Sequence, residues 1–195
     1  MSNQTGNTGL QPVRLLGGTP FNNSQNRYRI LKNYGKAIFQ GDLVKLNATN
    51  GTINAVASSN DVPVVGVFNG VNYTDPTTQK PTYKNYYPGT VSANDIIAAV
   101  IDDPNVVYSI NADATFVVAD LYANYKINPT AGSTTSGNSR FSLDVATGDS
   151  SSTFQLKAID ISQNPDNSNT AAPSGVDVLV IINNHAYRSG TVGND

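Results

Sequence analysis

Gly41–Tyr73, GDLVKLNATNGTINAVASSNDVPVVGVFNGVNY, is the stretch whose reading decides the fold. Leu43-Val44-Lys45-Leu46 and Ile53-Asn54-Ala55-Val56 flank Asn50-Gly51. Asn-Gly accepts the positive φ of tight turns that match strand twist, so a β-hairpin is expected here. Val64-Val65-Gly66-Val67-Phe68 then follows without a polar residue. An uninterrupted β-branched run reads as a strand buried on both faces. Gly66 inside it marks a bulge or a close backbone approach.

The rest of the chain is in keeping with an all-β body. All 14 acidic residues are Asp, and Glu is absent from the 195 residues. Asp serves turns and caps, whereas Glu serves helix interiors. Sixteen Gly and ten Pro break helical periods further. The expected fold is a single β-barrel or sandwich-like domain over 29–190, with an extended N-terminal arm at 1–28 and a flexible tail at 191–195. A chain of this length buries a core without staples, and with no Cys it has neither disulfides nor thiolate chemistry.

Around the central stretch, Ile96–Ile101 and Val106–Ile110 flank Asp102-Asp103-Pro104-Asn105 and read as a second hairpin. Ala119–Tyr125 is the best candidate for a short helical turn. Thr74–Gly89 carries Pro76, Pro81 and Pro88, which exclude a central strand. Its Tyr83, Tyr86 and Tyr87 make an aromatic loop, suited either to an interface or to capping one end of the body. Residues 1–28 are too polar to build a core, yet Val13, Leu15, Leu16 and Phe21 give anchors. Val176–Ile182 is a strong last strand.

Charge is unevenly distributed. Residues 1–84 hold eight cations against three Asp, and 85–195 hold four against eleven. Such asymmetry marks an oriented surface unless the halves interleave in space. No secretory leader and no membrane-spanning run is expected. A catalytic site is not expected: His185 is the only histidine, and no Gly-x-Ser-x-Gly, P-loop or Gly-x-Gly-x-x-Gly is present. One histidine without Cys excludes the common zinc sets, and no Asp-rich loop has calcium-hand spacing. Asp102-Asp103 before Pro-Asn is turn chemistry. A pI near 5.2 argues against nucleic acid as a partner. No cofactor, metal or membrane is called for.

Several phrases together carry a resemblance. They are Gln40-Gly41-Asp42-Leu43-Val44, Val64 through Tyr73, Tyr87-Pro88-Gly89, Ile101 through Asn105, and Val180-Ile181-Ile182-Asn183-Asn184-His185. Over roughly residues 30–188 the chain resembles the head decoration, or cement, proteins of tailed bacteriophages. The resemblance implies a β-barrel-like structural virion protein, made in the host cytoplasm and bound outside the head. There it would stabilise the shell by contacts with the major capsid protein and with neighbouring copies, docking as a monomer, dimer or trimer. Candidate partner-binding residues are Val13, Arg14, Leu15, Leu16, Phe21 and Arg27 of the arm, Arg29 just after it, and Tyr83, Tyr86 and Tyr87. The alternative is a virion-attached glycan- or host-binding module, such as a head fibre base or tail component, whose tyrosines stack on sugars.

Overall fold

The computed structural model describes residues 6–167 and 175–188. The expected tail at 191–195 and the first five residues lie outside them. In chain order the strands are β1 (Gln11–Leu15), β2 (Asn26–Arg29), β3 (Leu43–Asn47), β4 (Thr52–Ala55), β5 (Gly66–Thr74) and β6 (Pro81–Lys84). They continue with β7 (Ile97–Ile101), β8 (Val106–Asn111), β9 (Asn124–Asn128), β10 (Ser142–Asp149), β11 (Leu156–Ile161) and β12 (Asp177–Ile182). Helix among the described residues is limited to two 3-10 turns, Val118–Asp120 and Pro165–Asn167.

Two antiparallel sheets form a β-sandwich. An N-terminal sheet runs β2-β7-β5-β3-β4, with β6 paired to β5, and a C-terminal sheet runs β1-β8-β12-β11-β9-β10. Apart from β1 and β7, which change places, strands of the basic half build one sheet and strands of the acidic half the other. The charge asymmetry is therefore mainly a segregation between sheets, and the halves interleave only through β1 beside β8 and β7 between β2 and β5.

The run Val64 to Phe68 explains how the layers join. Val64 and Val67 enter the core between the sheets, beside Leu43, Ile101, Tyr108, Ile127 and Val180. Val65 and Phe68 point the other way, into a second cluster with Val44, Ile53, Val71 and Val100. That outer face is roofed by Ile30, Ile38, Tyr87, Val91 and Ile96 from the connecting segments. Each large aliphatic or aromatic side chain so buried contributes about 1.5–3 kcal/mol. A strand sandwiched between two apolar layers has no wet side, hence the unbroken apolar run. Gly66 fits the expected close approach, since a Cβ there would lie 2.2 Å from the Ile101 carbonyl oxygen. The bulge falls later, between Phe68 and Gly70.

Some local expectations change. The β3–β4 hairpin forms, but Asn47 pairs Thr52, so the loop has four residues and only Gly51 takes positive φ. The turn 102–105 forms too, with the Val106 N–H donating to the Asp103 carbonyl at 3.2 Å. It closes no hairpin: β7 belongs to one sheet and β8 to the other. Ile101 and Val106 both anchor in the inter-sheet core, so the chain turns across the sandwich there. The helical turn is confined to 118–120, and Tyr125 lies in β9. Within the proline-rich loop, β6 is an edge strand that begins at Pro81, where the missing N–H costs no ladder bond.

The extended N-terminal segment is present, but from residue 10 onward it is not separate from the body. Leu10 is buried in the inter-sheet core, β1 pairs with β8, and β2 pairs with β7. The boundary at 28 therefore cuts through a strand of the sandwich. Pairing with β8 and β7 supplies the order that the segment's own composition lacks.

Candidate docking surfaces

Residue by residue, the N-terminal candidates separate into anchors and exposed groups. Leu15 and Phe21 are half-buried and pack on the inter-sheet core. Between them the chain turns sharply: the Leu15 N–H donates to Thr19 O at 2.8 Å, and the Gly18 N–H to Leu15 O at 2.9 Å. Gly18 adopts φ +87°, a conformation that suits glycine. The turn is tied to the inter-sheet corner by the Leu16 N–H, which donates to Asn105 O at 2.8 Å. Val13 and Leu16 remain 48% exposed each. Arg14 is half-buried, and its Nη1 donates to the Leu15 carbonyl at 3.3 Å. The result is an apolar edge on a fixed strand.

Arg27, Arg29 and Tyr83 lie elsewhere, and strand register brings them onto one face. Arg29 pairs Ile97, Ile97 pairs Asn72, and Asn72 pairs Tyr83. Side chains directly opposite across a ladder share a face, so Arg29, Ile97, Asn72 and Tyr83 form one row over four strands. Arg27, Ala99 and Gly70 form the next row. This is the same face that Val67 and Ile101 present to the inter-sheet core. Here it runs past that core, with Asn72 exposed and Ile97 and Ala99 half-buried. An open groove of about 700 Å³ follows it, lined by Arg27, Asn72, Tyr83, Asp95, Ile97 and Ala99 among others.

Tyr83 is 61% exposed yet held in place. Its hydroxyl donates to the Asn69 carbonyl at 3.3 Å. The ring rests on Gly70, where a Cβ would come within 2.6 Å of the phenolic oxygen. At the groove's end Asp95 accepts the Thr74 hydroxyl at 2.6 Å and the Thr74 N–H at 3.1 Å. The Thr74 hydroxyl and N–H hold the Asp95 carboxyl below the usual range. Arg27 and Arg29 form no salt bridge; the one ion pair among the described residues joins Lys45 and Asp61 at 2.7 Å.

The other two tyrosines do not share this face. Tyr86 stacks on Phe39 with ring centroids 5.6 Å apart, and the Lys84 ammonium lies over it. Tyr87 is wholly buried, with its hydroxyl donating to the Gly89 carbonyl at 3.2 Å. Placing Tyr87 among partner-binding residues is therefore wrong: it caps the outer core of the N-terminal sheet. Asn72 and Ile97 carry no signal in the sequence, because only register reveals them. Val118, in the first 3-10 turn, and Tyr122, just after it, are 72% and 71% exposed.

His185 lies buried below the inter-sheet corner. Its Nδ1 accepts the Tyr187 N–H at 3.0 Å, and burial lowers its pKa. Asp102 nearby accepts the Tyr28 hydroxyl at 2.5 Å, and Asp103 accepts the Asn105 N–H at 2.8 Å. Both carboxylates thus brace the corner. Among the described residues no three His, Cys, Asp or Glu side chains converge as a metal site. No helix there is long and apolar enough to cross a membrane. No protein-family model, curated protein or solved structure matches the chain.

Proposed function

We propose that this protein is a structural virion protein of a tailed bacteriophage, a capsid decoration protein that seats on the outer surface of the head and stabilises the shell. The observation that carries the reading is the edge at β1. Val13, on β1, and Leu16, just after it, are held outward by a segment whose Leu10 is buried in the inter-sheet core and whose Leu15 and Phe21 pack against it. An apolar contact presented on pre-ordered backbone loses little entropy on docking. The resemblance over residues 30–188 supplies the partner, the major capsid protein. Multiple copies on a lattice would turn a modest contact into firm retention.

The double variant Val13→Asp, Leu16→Asp tests this. Both side chains are exposed, so melting should stay within a few degrees of wild type. Heads decorated with the variant should release it at lower denaturant than heads carrying wild type. Equal retention of the two forms would remove the β1 edge from the interface.

A further inference from the structure

We infer that the part of the N-terminal sheet's inner face that runs past the inter-sheet core is a binding site for carboxylated sugars, with Tyr83 as the stacking platform and Arg27 and Arg29 as the anion-recognising pair. The inference is independent of how the protein attaches to a head. It rests on three features that occur together.

The first is an aromatic ring that is both exposed and immobilised. A tyrosine 61% exposed to water ordinarily keeps its rotamer freedom and loses it on binding. Here Gly70 leaves room for the ring to lie on the sheet, and the Asn69 carbonyl holds its hydroxyl. The hydroxyl end of the ring packs over the Gly70 backbone, and the side chain lines the groove. Apolar C–H faces of a pyranose stack on such a surface, and the ordering cost has been met in advance.

The second is a polar set suited to hydroxyl groups. Asn72 lies opposite Tyr83 across the ladder, on the same face, and offers a donor and an acceptor. Gln25 lines the groove as well, and its Oε1 accepts from Asn69 Nδ2 at 2.8 Å. Ile97 and Ala99 give the floor an apolar strip between the polar groups. A groove of about 700 Å³ is within the range of small-ligand sites, and concave mixed lining distinguishes it from a flat protein contact.

The third is charge. Arg27 and Arg29 stand two residues apart on edge strand β2, on the same face as Tyr83. Among the described residues the one carboxylate that lines the groove, Asp95, is turned to Thr74 at the groove's end and forms no salt bridge with either arginine. Two arginines without a carboxylate partner select an anion, and the guanidinium fork matches a carboxylate in two parallel hydrogen bonds. A neutral sugar would leave that charge unused. An acidic peptide would use the charge but leave the tyrosine platform idle.

Titration calorimetry on the full chain at low salt tests the site with four probes: tetragalacturonate, sialyllactose, neutral tetragalactose and poly-L-glutamate. Saturable binding is expected for at least one carboxylated sugar, tenfold or more tighter than for the neutral sugar and for poly-glutamate. Tyr83→Ala should weaken it tenfold or more. Arg27→Ala with Arg29→Ala should bring it down to the neutral level and remove most of its salt dependence. All three side chains are exposed, so the melting temperature reports that each variant is folded. No saturable binding to either carboxylated sugar overturns the inference. So does poly-glutamate binding as tightly as the sugars, which would make the face a site for acidic peptide. Binding that survives Tyr83→Ala unchanged overturns it too.

Discussion

Asp42→Asn should make the protein more stable relative to wild type as pH rises, the reverse of what loss of a carboxylate usually does. Asp42 stands at the entrance to β3 with only 3% of its surface exposed. Its Oδ2 accepts the Phe39 N–H at 2.8 Å, and its backbone carbonyl accepts the Phe68 N–H at 2.9 Å, tying β3 to β5. Burial raises the carboxyl from 3.8 to about 6, and the Ser139 hydroxyl and Phe39 N–H offset only part of that. Burial thus makes the fold prefer the protonated acid. The stability this group contributes is complete below the unfolded value and is lost as pH climbs through about 6. At about 1.4 kcal/mol per pH unit, the gap amounts to about 3 kcal/mol above neutrality.

Asparagine keeps the acceptor toward Phe39 and never ionises. The difference in unfolding free energy, variant minus wild type, should therefore rise by about 3 kcal/mol between pH 3.5 and 7.5. In a domain of this size that corresponds to a relative shift in Tm on the order of 10 °C. Differential scanning calorimetry of both proteins across that range measures it, and taking the difference cancels the other titrating aspartates. Parallel stability curves would refute the reasoning. So would a variant whose relative advantage shrinks toward neutral pH.

Three further outcomes follow from the packing. Gly66→Ala places a Cβ 2.2 Å from the Ile101 carbonyl oxygen and 2.9 Å from Val100 Cγ1. Neither strand of this β5–β7 pair can retreat freely within the sheet, so urea titration should show a loss of at least about 3 kcal/mol. Deleting residues 1–16 removes Leu10 from the inter-sheet core and β1 from β8. It should cost at least as much as a buried Leu→Ala change, about 2–5 kcal/mol, and an unchanged melt would mean that the segment is not part of the sandwich. Far-ultraviolet circular dichroism should be strand-dominated, with helix below about a tenth of residues where a typical domain has about a third.

Composition and pattern carried the class of fold and its centre. Lack of Glu excluded helices, and the run Val64 to Phe68 announced a strand covered on both sides. What escaped was any feature that depends on which strands become neighbours. A four-residue proline turn looks the same whether it returns on one sheet or crosses to the other, so β7 and β8 read as a hairpin. Leu10 sits among Asn, Thr, Gly and Gln and gives no hint of burial, so the segment read as an arm. Tyr83, Tyr86 and Tyr87 are close in sequence, but β6 ends at Lys84 and the chain then turns back over the outer core. That divides them among groove, stacked pair and core. Conversely, Arg29 and Tyr83 are far apart in sequence and fall at the two ends of one row through three register contacts that no local pattern encodes.

Attachment to a head is tested most directly by electron cryomicroscopy of phage heads stripped of this chain and then incubated with the purified protein. The expected result is new density outside the shell, at symmetric lattice positions, that accommodates a two-layer sandwich with Val13 and Leu16 facing the capsid protein. Heads whose outer surface is unchanged at saturating protein would contradict a decoration role.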